Sequence, residues 1–187
     1  MIRTISISIA LAAVLTGGVE RHTIDGALFR PFSPSGVANL LVFVTTDCPV
    51  SNGYAPEIER LCSVYAARGV RCTLVYEDVD ADPAAVRAHL TAYRYSGMPA
   101  AIDADASLAA QAGATLTPEA ALIDARGSVR YLGRTDNQYV SLGHPRRVVT
   151  LHDLQDALDA VLEGALVKTP RTTPVGCIIA GPELRRR

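Results

Sequence analysis

The chain has 187 residues, enough for one domain of ordinary size with short terminal segments and too few for two comfortable domains. Hydrophobic residues make up 49% of the chain and charged residues 20%, so a packed core is expected and general disorder is excluded. The 18 basic and 19 acidic side chains nearly balance, and the basic ones are dispersed except for Arg185, Arg186 and Arg187. This distribution lacks the basic surface of a nucleic-acid-binding protein, so no nucleic-acid partner is expected.

The N-terminal segment has the parts of an export signal. Arg3 supplies a positive start, residues 4–15 form an uncharged, mostly apolar run, and two glycines follow shortly after it. The uncharged stretch is shorter than the ~20 residues that span a bilayer, which favours a signal over a permanent anchor. The alternative is a first core strand, because isoleucine and serine alternate at its start. We expect residues 1–18 to be a signal peptide of an exported protein, periplasmic or otherwise extracytoplasmic, with no stable membrane span.

The next part of the chain predicts a β-α-β unit inside one domain, residues 19–166. Asp25-Gly26 marks the turn of a preceding hairpin. Residues 40–46 form a continuous apolar run, typical of a strand that is covered on both faces. A helix with an apolar stripe over residues 58–65 follows, and residues 72–76 form the next apolar run. This order implies a parallel pair of strands joined by a helix.

The second half of the domain predicts short alternating elements. In chain order they are a helix from Pro83 to about Arg94, a strand at 99–102, a helix at 107–112 and an antiparallel hairpin of strands at 119–124 and 128–132. Asp82 is expected to cap the first of these helices, and Thr150 to cap a last helix whose apolar stripe begins at Leu151. The proline-containing residues 167–187 are expected to form an irregular tail.

Cys48 has the most informative position of any side chain in the sequence. It follows a buried strand and precedes a helix, so its sulfur should face the unpaired N–H groups at the helix N-terminus. These donors and the helix dipole favour the thiolate over the thiol. A thiolate here is a nucleophile toward disulfides or peroxides, and the alternative is an inert, half-buried cysteine. Apolar packing does not explain a cysteine at this junction, so the nucleophile is favoured.

Around Cys48 the chain resembles the thioredoxin-like redoxin superfamily, particularly its exported single-domain members. Phe43 and Pro56 match the phenylalanine of the preceding strand and the kinking proline of the active-site helix. Thr117-Pro118, just before a strand, resembles the cis-proline loop of the superfamily. The resemblance implies an α/β, thioredoxin-like fold with a central mixed sheet flanked by helices. The segment from residue 99 to 112 resembles the redoxin-type insertion.

The resemblance implies thiol-disulfide exchange with protein or small thiol and disulfide substrates. Thr45, Ser51, Thr117 and Pro118 would bind the substrate, and the Thr-Pro loop would offer backbone groups to an extended peptide. Ser51 stands where the usual dithiol motif has its second cysteine, which leaves a single nucleophile in a Cys-Pro-Val-Ser motif. Cys48 therefore holds a mixed disulfide, acts as an isomerase, or uses a distant resolving cysteine.

Two other functions remain as alternatives on the same fold. A thiol peroxidase of the peroxiredoxin type would use Pro-x-x-x-Thr-x-x-Cys, in which Thr45 fits but Leu41 replaces the proline. A redox-inactive module would use the groove beside Pro118 to bind peptides. Copper-binding relatives use a Cys-x-x-x-Cys pair, whose second position is Asn52 in this chain. The four histidines are isolated in the sequence, so we expect neither a metal site nor a cofactor.

The remaining three cysteines have different expected roles. Cys62 belongs to an apolar helix stripe and Cys72 to an apolar strand, so both are interpreted first as small buried hydrophobic residues. A bond between them requires that both lie near the turn that connects helix and strand, because stacked layers are ~10 Å apart. Cys177 lies in an apolar patch of the tail. It is predicted either to resolve Cys48 or to pack in a tail that covers the core.

Overall fold

The computed structural model describes residues 19–33, 36–95 and 97–181. The expected signal at residues 1–18 and the last six residues of the tail lie outside the described residues. In chain order the elements are β1 (Arg21–His22), β2 (Leu28–Phe29), β3 (Ala38–Val44), α1 (Pro49–Ala66), β4 (Val70–Tyr76), α2 (Pro83–Ala92), β5 (Ala100–Ile102), α3 (Ser107–Ala112), β6 (Leu116–Thr117), β7 (Glu119–Asp124), β8 (Val129–Gly133), β9 (Tyr139–Ser141), β10 (His144–Pro145), α4 (Asp153–Leu162) and β11 (Cys177–Ile178). None of the described helices is both long and apolar enough to cross a membrane.

Five strands form the central mixed sheet, in the order β5-β4-β3-β7-β8. β3 and β4 are parallel and are connected through α1, whereas β7 is antiparallel to both β3 and β8. The predicted β-α-β unit and the predicted late hairpin are therefore confirmed. The first hairpin is also present, because β1 and β2 pair antiparallel around the Asp25-Gly26 turn.

β3 is buried along its whole length because the sheet is covered on both faces. Side chains of a strand alternate between faces, so neighbouring residues of β3 enter different apolar clusters. Leu40 and Val42 belong to the cluster that contains Ile58 of α1 and the apolar side of α4. Leu41 and Phe43 belong to the second cluster, with the buried face of α3. This two-sided burial explains why the strand is an uninterrupted apolar run.

α1 begins directly after Cys48 and carries the residues that surround it. Pro49 occupies the first helical position, where a missing N–H costs nothing and the fixed φ suits a helix. The apolar residues Ile58 and Leu61 are buried against the sheet. Gly69, with φ of +87°, lies just beyond the helix end and lets the chain reverse into β4.

The last helix begins later than the sequence predicts. Its N-cap is His152 rather than Thr150. The side-chain amide of Asn137 explains the shift: its Oδ1 accepts from the backbone N–H of Thr150 at 2.9 Å and of Leu151 at 3.1 Å, and its Nδ2 donates to Thr150 Oγ1 at 2.8 Å. These bonds hold the segment against the preceding loop, outside the helix. Leu151, expected in the apolar stripe, is 51% exposed.

Cys62 and Cys72 form a disulfide, which corrects their first interpretation as packing residues. Cys62 lies in the last part of α1 and Cys72 near the start of β4, and the turn between these elements is short. Their Cα atoms are therefore only 5.6 Å apart, within the range of a disulfide. The layer spacing that argued against this bond applies to residues farther from the connecting turn.

The C-terminal tail runs along the sheet and contains the short strand β11, so it is not irregular throughout. Arg171 forms an isolated bridge with Leu132 of β8, and the backbone N–H of Thr172 donates to the Leu132 carbonyl oxygen at 3.2 Å. Farther on, β11 pairs antiparallel with β6. The tail thereby returns to the segment that contains the predicted proline loop.

Candidate active site

Cys48 is the N-cap residue of α1 and is fully buried. Its backbone is extended, with φ of −76° and ψ of 112°, and its carbonyl oxygen accepts from the backbone N–H of Asn52 at 2.9 Å. The Cys48 sulfur is 3.2 Å from the carbonyl oxygen of Thr117, to which the thiol form donates. The strand-to-helix junction therefore directs the sulfur toward a loop distant in sequence.

The Thr117-Pro118 peptide bond is cis, as the resemblance implies, and the Thr117 carbonyl oxygen contacts the Cys48 sulfur. Thr117 is fully buried, and its hydroxyl lies 3.4 Å from the hydroxyl of Thr45. Thr45 follows β3 and Thr117 ends β6, so the two hydroxyls belong to two of the segments that meet at Cys48. The structure thus brings together Thr45, Cys48 and the Thr-Pro loop.

Cys177 lies beside Cys48, although the two are far apart in sequence. In the β6–β11 pairing Cys177 is opposite Thr117, whose carbonyl contacts the Cys48 sulfur. Cys177 packs against the cluster that contains Cys48, and each of the two thiols shifts the pKa of the other. The two thiols that are not part of the disulfide therefore meet at one point.

Ser51 lies one helical turn beyond Cys48 and is also buried. Its backbone N–H and its hydroxyl both contribute to lowering the pKa of Cys48. The Ser51 hydroxyl is buried and makes no hydrogen bond to another described residue, so it is available to a negatively charged sulfur. Ser51 thus occupies the place of a second thiol.

The pKa of the Cys48 thiol is lowered from its ordinary value of 9.0 by the balance of two opposing effects. Burial raises the pKa, because a charged sulfur is poorly solvated there. Hydrogen bonds from the Cys177 thiol, from Ser51 and from the Thr117 side chain outweigh burial, because they stabilise the thiolate. Cys48 is therefore the thiol that ionises first.

The pKa of Cys177 is shifted in the opposite direction, to about 12. Burial raises it, the hydrogen bond to Cys48 favours the protonated form, and the negative charges of Cys48 and Asp47 raise it further. As the pH rises, Cys48 therefore becomes a thiolate while Cys177 still keeps its proton. This division of roles is the electronic arrangement required of a nucleophile and a second, resolving thiol.

Two polar side chains hold the loop before Cys48. Asp78 accepts from the backbone N–H of Thr46 at 2.9 Å, and the Asn52 amide donates to the Thr46 carbonyl oxygen at 3.0 Å. Asp78 could have been suspected from the sequence, because it follows β4 at the sheet edge where β3 also ends. The role of Asn52 is visible only in the structure.

His89 is not isolated, as the sequence suggested, but links α2 to the active-site helix. Its Nε2 is 2.8 Å from Asn52 Oδ1, and its Nδ1 is 2.9 Å from the Tyr76 hydroxyl. The amide oxygen can only accept, so Nε2 carries the proton and Nδ1 accepts from Tyr76. Burial lowers the pKa of His89, and Asp78 opposes this shift. Neutral His89 thus donates a hydrogen bond to Asn52 and holds the Asn52 side chain in place.

Two other features were candidates for a functional site: a metal-binding cluster and a surface groove away from Cys48. Within the described parts of the chain, no group of three or more His, Cys, Asp or Glu side chains is arranged to hold a metal ion. A groove of about 1180 Å³ is lined by the first hairpin, α1 and α2, and includes Cys62 and Cys72 but not Cys48. Its two cysteines are bonded to each other, so the groove carries no thiol.

Comparison with known proteins identifies similar chains. The family model described as Redoxin matches residues 34–141, more than half of the chain. A hypothetical protein from Sinorhizobium meliloti is 29% identical, with a TM-score of 0.73, and the match covers 92% of this chain and 95% of that protein. An uncharacterized conserved protein from Geobacillus kaustophilus is 23% identical over 86% of each chain, also with a TM-score of 0.73.

A third similar structure is a secreted disulfide oxidoreductase from Mycobacterium tuberculosis, homologous to DsbE of Escherichia coli. It is 20% identical, with a TM-score of 0.55, and the match covers 76% of this chain and 95% of that protein. At this level of identity the likeness shows the fold alone. No curated protein matches the chain. The matched residues include β3, Cys48, α1 and the Thr-Pro loop, and on this basis the chain, with its thioredoxin-like fold, belongs to the Redoxin family.

Proposed function

We propose that this protein is a thiol-disulfide oxidoreductase in which Cys48 is the nucleophile and Cys177 the resolving thiol. The observation that carries this proposal is the position of Cys177 opposite Thr117 in the β6–β11 pairing, because the Thr117 carbonyl oxygen lies 3.2 Å from the Cys48 sulfur. Opposite pKa shifts support the assignment of roles, because the lowered pKa belongs to Cys48 and the raised one to Cys177.

The reaction has two exchange steps. The Cys48 thiolate attacks one sulfur of a substrate disulfide, forms a mixed disulfide with it and releases the other half as a thiolate. Cys177 then loses its proton to solvent and attacks the Cys48 sulfur, which releases the second half of the substrate as a thiolate. One substrate disulfide is reduced to two thiols, and Cys48 and Cys177 become a disulfide. The same steps in reverse oxidise a substrate dithiol.

The first step itself prepares Cys177 for the second. While Cys48 is a thiolate, its charge and its hydrogen bond keep the proton on Cys177. In the mixed disulfide Cys48 carries no charge, so both of these effects on the pKa of Cys177 are lost. Cys177 is therefore released for attack only after the substrate is bound covalently.

The other site residues are proposed to stabilise charge and bind substrate. Ser51 donates to the Cys48 sulfur, which favours Cys48 both as an attacking thiolate and as a leaving group. Thr45 and Thr117 form the polar wall beside the sulfur, and Pro118 shapes the loop that faces the substrate. The proposed substrates are protein or small-molecule thiols and disulfides.

A peroxidase function has less support from the site. The hydrogen-bond partners of the Cys48 sulfur within the described residues come from Ser51, Thr117 and Cys177, and none of them is an arginine that could polarise a peroxide. Consumption of hydrogen peroxide by the reduced protein distinguishes this alternative. We expect slow consumption compared with the rate of disulfide exchange.

We also propose that the protein works outside the cytoplasm, with residues 1–18 as an export signal, 19–166 as the domain and 167–187 as its tail. The disulfide between Cys62 and Cys72 supports an oxidising compartment, because structural disulfides are rare in the cytosol. The similar oxidoreductase from Mycobacterium tuberculosis is a secreted protein. Signal cleavage is tested by N-terminal sequencing of the protein recovered from the exported fraction.

The nucleophile is tested by reducing a small aromatic disulfide whose released thiolate is coloured. Wild-type protein, with Cys62 and Cys72 still oxidised, should release coloured thiolate, and Cys48→Ser should release it at least about tenfold more slowly, through Cys177 alone. An unchanged rate in Cys48→Ser would make Cys177 the nucleophile, and no release by wild-type protein would favour the redox-inactive binding module. This first reaction does not require Cys177.

The resolving role is tested by turnover with an external dithiol as reductant. Cys177→Ser should form a stable mixed disulfide at Cys48 and lose at least about tenfold in turnover, because an external thiol must replace one held in place. Ser51→Cys in the Cys177→Ser background offers a new partner one helical turn from Cys48 and should restore turnover. Peptide mapping that finds Cys48 linked elsewhere, with normal turnover of Cys177→Ser, would reject the resolving role.

A further inference from the structure

The β6 edge beside Cys48 is occupied by a strand of the chain's own tail. Cys177 and Ile178 pair antiparallel with Thr117 and Leu116, and the backbone N–H of Ile179 donates to the Thr115 carbonyl oxygen at 2.9 Å. An exposed strand edge is where an extended peptide adds to a sheet, with backbone hydrogen bonds giving affinity and side-chain pockets giving selectivity. With the tail docked, the Cys48 sulfur is fully buried, so a protein substrate cannot reach it.

The position before the tail cysteine accepts only glycine. A Cβ on Gly176 would collide with the carbonyl oxygen and carbon of Thr117. These are backbone atoms next to the Cys48 sulfur and cannot move aside as a flexible side chain could. Any peptide that pairs with β6 in this register therefore needs glycine immediately before its cysteine.

The two positions after the tail cysteine differ sharply in burial. The Ile178 side chain is 82% exposed, so this position imposes no requirement. Ile179 is only 9% exposed and joins the apolar cluster that contains Leu41 and Phe43 of β3. The second position after the cysteine is thus an apolar anchor, and the bound segment has the pattern Gly-Cys-x-apolar.

We propose that the β6 edge binds an extended peptide of a partner protein whose reacting cysteine stands in a Gly-Cys-x-apolar sequence, and that residues 176–179 occupy this edge as an internal competitor. This inference rests on the proposed role of Cys48 as nucleophile. The partner's peptide adds when the tail detaches, and its disulfide reacts with Cys48. Return of the tail then displaces the peptide from β6 and brings Cys177 back to the Cys48 sulfur in the same movement.

The test uses the full chain in a Cys177→Ser background, so that Cys48 is the one thiol that reacts. The probes are the peptide Val-Gly-Cys-Ile-Ile, the same peptide with alanine in place of glycine, and a small aromatic disulfide. Each peptide carries an aromatic thiol on its cysteine as a mixed disulfide. Cys48 attacks the peptide sulfur, forms a disulfide with the peptide and releases the coloured aromatic thiolate. Rates are taken at a pH high enough for Cys48 to be fully ionised in every variant.

Two variants release the tail by different routes. Gly176→Ala introduces the collision with Thr117, and Ile179→Ser removes the apolar anchor. Each should raise the rate with the glycine peptide at least about tenfold, because the tethered tail has a high effective concentration that a free peptide cannot match. Ile178→Ser, at the exposed neighbouring position, is the matched control and should react as the background does.

The requirement for glycine before the cysteine is measured in Gly176→Ala and Ile179→Ser, the two variants whose tail is detached. The glycine peptide should react at least about tenfold faster than the alanine peptide, a ratio that corresponds to 1.4 kcal/mol. Equal rates for the two peptides would overturn the Gly-Cys requirement, and unchanged rates in both tail variants would overturn the competitor role. If Cys48 does not react with the small aromatic disulfide in any variant, the proposed function fails, and this outcome is distinct from the other two.

Discussion

Cys48 and Cys177 shift the pKa values of each other in opposite directions. Interaction with the Cys177 thiol is one of the effects that lower the pKa of Cys48, and the same interaction raises the pKa of Cys177. Burial alone would raise both. The proposed nucleophile therefore depends on a residue of the tail as well as on the N-terminus of α1.

This dependence predicts the effect of removing the donor. Cys177→Ala should raise the pKa of Cys48, because the thiolate loses one of the hydrogen bonds that outweigh its burial. The rate of attack on a small disulfide increases with pH as the thiolate forms, so its midpoint should move to higher pH. The measurement is the pH profile of this rate, supported by ultraviolet absorbance of the thiolate.

Ile178→Ala is a suitable control for this variant. It alters the next residue of β11, whose side chain is exposed, and leaves the Cys177 donor in place. The midpoint should stay at the wild-type position. A midpoint that is the same in Cys177→Ala and wild type would show that the tail does not stabilise the thiolate.

Among the secondary-structure elements, α2 and α1 are connected through His89 and Asn52. His89 is buried, and its neutral form donates to Asn52, whose amide holds the carbonyl oxygen of Thr46. A protonated His89 would carry a charge into a poorly solvated site. Burial of His89 in this link therefore favours its neutral form in the folded protein.

The link predicts a pH dependence of stability. In the unfolded chain His89 takes up a proton near its ordinary pKa of 6.5, whereas in the folded protein burial lowers this pKa. Between the two values the unfolded state binds more protons, so the free energy of unfolding should fall as the pH falls below about 6.5. Denaturant unfolding at a series of pH values measures this slope.

His89→Gln removes the titrating group and keeps a side chain that can donate to Asn52. The variant is expected to be less stable than wild type at neutral pH, with a smaller loss of stability on acidification through this range. The same slope in variant and wild type would assign the acid sensitivity to other groups.

For the protein as a unit, the disulfide between Cys62 and Cys72 connects the active-site helix to the central sheet. It closes a short loop, with a sequence separation of 10. Loops of this size correspond to about 2–3 kcal/mol of stabilisation, chiefly through the unfolded chain. Cys62 and Cys72 are bonded to each other, so neither provides a free thiol for the proposed reaction of Cys48.

The double variant Cys62→Ala, Cys72→Ala should therefore lower the free energy of unfolding by about 2–3 kcal/mol. Its Cys48 should still attack a small disulfide at the wild-type rate, because the contacts of Cys48 do not include either residue. Denaturant unfolding and the coloured exchange assay measure the two quantities. Loss of exchange in a folded double variant would instead make this disulfide part of the redox mechanism.

Local patterns in the sequence were sufficient for the parts of the fold that depend on neighbouring residues. The apolar run of β3, the stripe of α1 and the Asp82 cap of α2, whose side chain accepts from the Ala85 N–H at 2.8 Å, follow from periodicity and capping chemistry. Cys48 could be singled out because a strand-to-helix junction exposes unpaired N–H groups. The Thr117-Pro118 loop was found through its position before a strand in a resemblance to a family.

Contacts between distant segments required the tertiary structure. The apolar periodicity of the sequence does not predict that Cys177 lies opposite Thr117. It also does not predict that Asn52 of α1 and His89 of α2 are hydrogen-bonded. The predicted N-cap of α4, Thr150, is wrong because Asn137, in an earlier loop, binds both the side chain and the backbone N–H of Thr150 and holds it outside the helix. Partner choice among polar and thiol groups depends on distance and direction in space, and residue order along the chain leaves both undefined.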